Sequence, residues 1–175
     1  MYRSTSLNLA SLALTAAALM AAPAAMAAPV TGSLAVTATV LSTCVVVSTP
    51  VVFGAYSLGA VDASGLITVT CTPDISSYHV ALGTGIGAGA TTVARKMTSL
   101  ASSDTLTYGL FSNSARTQNW GELSNVDSVL SAAATSSLGA VKTFAVYGRI
   151  AADQAAATGA YLDTVQITIN FDPNN

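Results

Sequence analysis

The chain has 175 residues, only 8% of them charged, with a formal net charge of -2, against roughly 25% charged residues in ordinary soluble domains. So sparse and slightly acidic a charge pattern excludes a nucleic-acid binder and a protein drawn to anionic membranes. The surface must instead be built from Ser, Thr, Ala, Gly and backbone, which suits packing against like surfaces.

Residues 1–27 read as a secretory signal peptide. Arg3 supplies a short positive start, residues 7–22 an apolar run, and Ala25, Met26 and Ala27 a small-x-small cleavage pattern. The run is about 16 residues long and is broken by Asn8, Ser11 and Thr15, short of the roughly 20 that a bilayer span needs. Residues 28–175 are then enough chain for one domain with a proper core. Export carries Cys44 and Cys71 into an oxidising compartment, where a disulfide between them is the expected state. Closing that loop should stabilise the fold by roughly 3–4 kcal/mol in the chain-entropy model. A single histidine in the whole chain cannot complete a zinc site from the same cysteines.

The exported part opens on PVTGSLAVTATVLSTC, residues 29–44. Val30, Gly32, Leu34, Val36, Ala38 and Val40 fall on one face of an extended chain, and Thr31, Ser33, Ala35, Thr37 and Thr39 on the other. A one-residue slip would present a much poorer set to any core, so the pairing of such a strand is well specified. Nothing nearby reads as its hairpin partner. Further strands are expected at 44–47 (CVVV), 51–56 (VVFGAY), 65–71 (GLITVTC), 77–83 (SYHVALG), 105–111 (TLTYGLF), 141–150 (VKTFAVYGRI) and 161–171 (YLDTVQITINF). In the last of these, Val165, Ile167, Ile169 and Phe171 share the core face, and Thr164, Gln166, Thr168 and Asn170 the other. Residues 122–138, rich in Ser and Ala, read as a long loop with a helical turn. Many short strands punctuated by Gly, Pro, Ser and Asp indicate a β-sandwich or barrel.

Catalytic equipment is scarce. The Gly-rich GTGIGAGA at 83–90 lacks the Lys-Ser/Thr of a phosphate-binding loop and the spacing of a dinucleotide fingerprint, so it reads as a surface loop. His79 alternates out of phase with Tyr78, Val80 and Leu82, which places it off the core face, and no G-x-S-x-G elbow accompanies it. The eight acids are scattered singly near strand ends, where turn chemistry explains them. Arg95, Lys96, Arg116 and Arg149 form no run dense enough to track phosphates. Trp120 and Tyr147 have the character of sugar-stacking residues, yet a lone Trp in a sandwich is more often an anchor of core or loop. The residues therefore point to a non-enzymatic building block with no cofactor, metal or small-molecule substrate.

Several phrases carry a family resemblance when taken in order: a Cys soon after the first strand, VVFGAY (51–56), ITVTC (67–71), YHVALGTG (78–85), RKM (95–97), LTYGLF (106–111), WG (120–121), VYGRI (146–150) and GAYLDTVQITI (159–169). They resemble the spore coat protein U family, which includes subunits of archaic, Csu-type chaperone-usher pili. The resemblance implies an immunoglobulin-like β-sandwich over residues 41–175 that lacks its final strand, leaving a groove between the sheets. It also implies export to the periplasm, a chaperone that holds the subunit, an outer-membrane usher, and a surface fibre used in adhesion and biofilm formation. In such a fibre, copies associate head to tail, the N-terminal extension of one filling the groove of the next, a form of strand addition. On that pattern residues 28–40 are the donor strand, with Val30, Gly32, Leu34, Val36, Ala38 and Val40 in successive pockets and Gly32 at a shallow one. Thr31, Ser33 and Thr37 then face outward. The strand bearing Val165, Ile167, Ile169 and Phe171 borders the groove and is where a chaperone strand pairs. The alternative is a secreted coat or matrix protein of the same family that forms no fibre. A receptor-binding tip subunit is disfavoured because the chain has room for one domain.

Overall fold

The computed structural model describes residues 30–75, 77–132 and 140–171. The signal-peptide reading of residues 1–27, and residues 133–139 of the Ser/Ala-rich stretch, lie outside them. The chain divides into two units, Met1–Ala38 and Thr39–Asn175. In the first, residues 30–38 form no strand and are exposed.

In the second unit nine strands lie among the described residues: β1 (Cys44–Thr49), β2 (Val61–Cys71), β3 (Ser77–Leu82), β4 (Arg95–Ser99), β5 (Thr105–Phe111), β6 (Val129–Ala132), β7 (Ala140–Ile150), β8 (Tyr161–Leu162) and β9 (Ile167–Asn170). One sheet has the order β1-β2-β7-β5-β4-β8, the other β6-β3-β9, and every described pairing is antiparallel. The period-two patterns explain the faces. Leu106, Tyr108 and Leu110 of β5 are buried while Thr105, Thr107 and Gly109 are not. Ile67 and Val69 of β2, Val146 and Ile150 of β7, and Tyr78 and Val80 of β3 complete the same core. Cys44 and Cys71, directly opposed in the β1–β2 register, are joined in a disulfide.

The centre of the core holds two polar anchors. Trp120, 1% exposed, stands edge-on to Phe144 with ring centroids 6.3 Å apart, and its indole N–H donates to the Val80 carbonyl at 2.7 Å. It is thus a core anchor. Arg95 is wholly buried and donates to the carbonyls of Gly83, Thr92, Leu82 and Trp120 at 2.6–2.9 Å. Burial pushes its pKa down, while Tyr108, Asp163, Asp127 and Glu122 act in the opposite direction. These carbonyls belong to the end of β3, the start of the Gly-rich loop, the turn before β4 and the 120–121 corner, where the Leu82 N–H donates to Gly121. One guanidinium thereby supplies donors to four carbonyls around the end of β3.

Residues 30–43 carry no strand; the expected partner of residues 28–40 is another copy of the chain, and a segment without a neighbouring strand has no ladder to close. The structure departs from the sequence reading in three places. Residues 51–56 join no ladder, and Gly54 turns the chain there with φ +73. The single strand expected at 161–171 is two, β8 in the large sheet and β9 in the small one, with the chain changing sheets between Leu162 and Ile167. Finally, β4 and β6 went unforeseen because the buried Arg95 breaks the apolar alternation of the first, and the second, four residues VLSA, is too short to show a period. Replacing Arg95 with Met preserves bulk but removes the guanidinium donors from three buried carbonyls and a half-buried one. The expected loss is about 3 kcal/mol or more, read as a lower urea midpoint with unchanged slope.

Candidate functional site: an apolar groove

The second unit carries a groove of about 970 Å³. Its floor is the core itself, with Ile67, Leu82, Leu106, Leu110, Val146 and Ile150 lining it. One wall is residues 48–56. Past the end of β1 this stretch settles onto two positions that have no Cβ. A Cβ on Gly65 would lie 2.7 Å from the Thr49 carbonyl oxygen, and one on Gly148 2.7 Å from the Phe53 ring and 2.8 Å from Val51. Glycine is required there by the close approach. Phe53 then stands edge-on to Tyr108, centroids 5.8 Å apart. Tyr56 ties the wall to the loop after β7, its hydroxyl donating to the Ala151 carbonyl at 3.2 Å and accepting from the Gln154 N–H at 2.8 Å.

Residues 156–165 and Ile167 form the other wall. Here the chain crosses between sheets, and Asp163 secures the crossing. Its carboxylate accepts from the Tyr108 hydroxyl at 2.7 Å and from the N–H groups of Ile86 and Thr164, each at 2.8 Å. Burial, reinforced by the Asp163 carboxylate, pushes the Tyr108 phenol well above its ordinary value. Gly85, beside this carboxylate, has φ +85, and a Cβ there would collide with it.

Among the described pairings β9 has a ladder on one side only, with β3, and β1 only with β2. An apolar trough lies between a wall that follows β1 and a wall that leads into β9. His79 takes no part in it: the ring lies on the other face of β3, with Nδ1 3.0 Å from the Ser128 hydroxyl. Among the described residues no group of three or more His, Cys, Asp or Glu stands close enough to hold a metal.

Of the residues singled out from sequence, Val165 and Ile167 line the groove, while Ile169 and Phe171 are half-buried against the core. Val30, Leu34, Val36 and Val40 are exposed, as are Gly32 and Ala38, and space around a Cβ at Gly32 is open. Sequence reasoning missed the Tyr108–Asp163 pair and the role of Phe53. Both lie in phrases that carried the resemblance, LTYGLF, YLDTVQITI and VVFGAY, but neither has a local signature of contact with the other elements.

The family model of the Spore Coat Protein U domain matches residues 30–168. The chain belongs to the spore coat protein U family. Its structure is similar, with a TM-score of 0.53 and 26% identity, to a chain in the CsuC–CsuE chaperone–tip adhesion subunit pre-assembly complex from the archaic chaperone-usher Csu pili of Acinetobacter baumannii. The similarity covers 76% of this chain and 40% of that one, so the chain spans less than half the length of that relative. A second similar structure is the minor tip subunit HdaB of the Escherichia coli Hda pilus, with a TM-score of 0.42 and 15% identity, over 75% of this chain and 88% of that one. No curated protein matches the sequence. The fold of this spore coat protein U domain is accordingly all-β and immunoglobulin-like, with two antiparallel sheets about one core.

The Tyr108 shift has a definite sign. The folded protein holds this proton more tightly than the unfolded chain, so its contribution is complete below the unfolded phenol pKa of about 10 and is lost as pH rises above it. Tyr108→Phe should therefore flatten the fall in stability above about pH 10, measured by urea unfolding at stepped pH. An unchanged alkaline slope would show that the phenol is not held in this way.

Proposed function

We propose that this chain is a structural subunit of an archaic chaperone-usher pilus that polymerises by donating its leading segment to the groove of the next copy. The observation that carries the reading is the apolar groove of the second unit, flanked by the open ladder of β9, in a chain whose residues 30–40 present exposed apolar side chains at every second position. Family membership supports it, as does the similarity to a subunit found in complex with a chaperone.

In this mechanism residues 30–40 of one copy enter the groove of another as an added strand. Leu34 and Val36 replace water with core contacts, each contributing about 1.5–3 kcal/mol as an upper estimate. Backbone groups of the entering strand complete the ladder, each bond adding about 0.5–1.5 kcal/mol. Before assembly a periplasmic chaperone covers the same groove, because an open apolar trough beside unpaired backbone is an aggregation site. The association is heterologous and does not close on itself, so it propagates as a filament at the cell surface through an outer-membrane usher. A strand seated in a core leaves only when that core opens, which gives the fibre kinetic stability suited to adhesion and biofilm.

Deleting residues 29–40 should leave a subunit that still binds its chaperone but does not extend a polymer, as judged by size exclusion and electron microscopy; normal polymerisation of the deletion variant defeats the donor assignment. Leu34→Asp or Val36→Asp should be nearly as damaging, since an unpaired charge in an apolar groove costs several kcal/mol, whereas Thr37→Ala should assemble normally. Ile167→Asn, on the groove wall, should reduce the yield of soluble chaperone-bound subunit in periplasmic extracts.

A further inference from the structure

Beyond the donor strand, the outer face of the large sheet carries an apolar patch that the core does not use. Val45 and Val47 of β1 are 60% and 65% exposed, Leu66 of β2 46% and Val141 of β7 65%. The register places Val45 beside Thr70 and Thr70 beside Val141, then Val47 beside Thr68 and Thr68 beside Thr143. The two threonine hydroxyls sit 3.3 Å apart. Among the described residues the charged side chains of β1, β2 and β7 on this face are Asp62 and Arg149, paired at the far end of β2 and β7, where Arg116 also pairs with Asp62 and lies over the Tyr147 ring.

The occupant follows from chain length. Thr43 is pinned: its N–H donates to the Thr72 hydroxyl at 3.1 Å and its carbonyl accepts from the Thr72 N–H at 2.9 Å. Ser42 donates to the Asp74 carboxylate, and Cys44 is locked to Cys71. Only Leu41 and Ser42 separate this pin from Val40, the end of the donor segment. Three Cα steps reach at most about 10 Å. Whatever body receives residues 30–40 is therefore held within that distance of the β1 start. Val40 and Leu41, next to this pin, are themselves exposed.

We propose that the Val45–Val47–Leu66–Val141 face is a second interface in the assembled fibre, covered by the same copy of this chain that accepts residues 30–40. This rests on the donor-strand reading above and adds a contact outside the groove. A tether this short cannot keep two globular bodies apart, and an apolar face beside it is what the closer body removes from water. The contact restricts the angle between successive copies.

The test places a photo-crosslinking amino acid at Val45, Val47 or Val141, all exposed positions, and in parallel at Leu34, in the full exported chain. After irradiation of assembled material the expected result is a covalent two-copy species from each of the four positions. It should be lost from the Val45, Val47 and Val141 variants when residues 29–40 are also deleted. A crosslink from Leu34 with none from the three sheet positions overturns the second interface and leaves the donor reading standing. No crosslink from Leu34 overturns both. A crosslink from Val141 that survives the deletion, or one to a protein other than this chain, overturns the acceptor copy as the occupant.

Discussion

The rest of the structure depends on a core that reaches its own surface. Ile67, Leu106, Val146 and Ile150 belong to the main hydrophobic cluster and at the same time form the floor of a groove. β9, at the groove's edge, has backbone groups paired on one side only. In the proposed assembly apolar floor and open ladder are together complementary to an extended chain with apolar side chains at alternate positions, supplied by another copy, so stability of the subunit and cohesion of the fibre become the same contacts counted from two sides.

A core open along one side needs its borders held by something other than close packing. The polar groups near the groove do that. Asp163 fastens the sheet-crossing wall to β5 and to the Gly-rich loop through three hydrogen bonds. Tyr56 and Gln154 fasten the opposite wall near the loop after β7. Arg95 satisfies the carbonyls that the departing end of β3 leaves behind. Each is a side chain standing in for a ladder bond at a place where the sheet is interrupted, and such substitution is what lets a groove exist before it is filled. Gly65 and Gly148 act sterically, letting residues 49–53 lie close on β2 and β7 where a Cβ would meet Thr49, Val51 and Phe53.

The strands with strict alternation were legible in advance. TLTYGLF became β5 at the expected residues, and VKTFAVYGRI became β7 with one residue added, because half-buried strands report their faces directly in the side-chain period. The position of His79 off the core face followed from the same rule, and Trp120 as an anchor from the usual role of a lone Trp in a sandwich. The 161–171 strand was misjudged in its continuity: its burial does alternate, but alternation is blind to which sheet each half joins. The 51–56 stretch was misjudged for a related reason. Val51, Phe53 and Tyr56 are half-buried, the first two at alternate positions as in a strand, but the stretch turns at Gly54 and lies over β2 and β7 at two glycines instead of beside a partner.

By itself the sequence determined the class of the fold, the face each regular strand turns inward, the disulfide, the poverty of catalytic groups and the family. These depend on composition, short-range periodicity and ordered motifs, all of which are local. Only the tertiary structure decided where the groove lies, that Phe53 and Tyr108 meet beneath its wall, that Asp163 reaches Tyr108 and Ile86, and that Arg95 is buried against carbonyls instead of exposed in a basic cluster. These are contacts between residues far apart in the chain. Their energies depend on which segments the sheets bring together, and no spacing along the sequence encodes that.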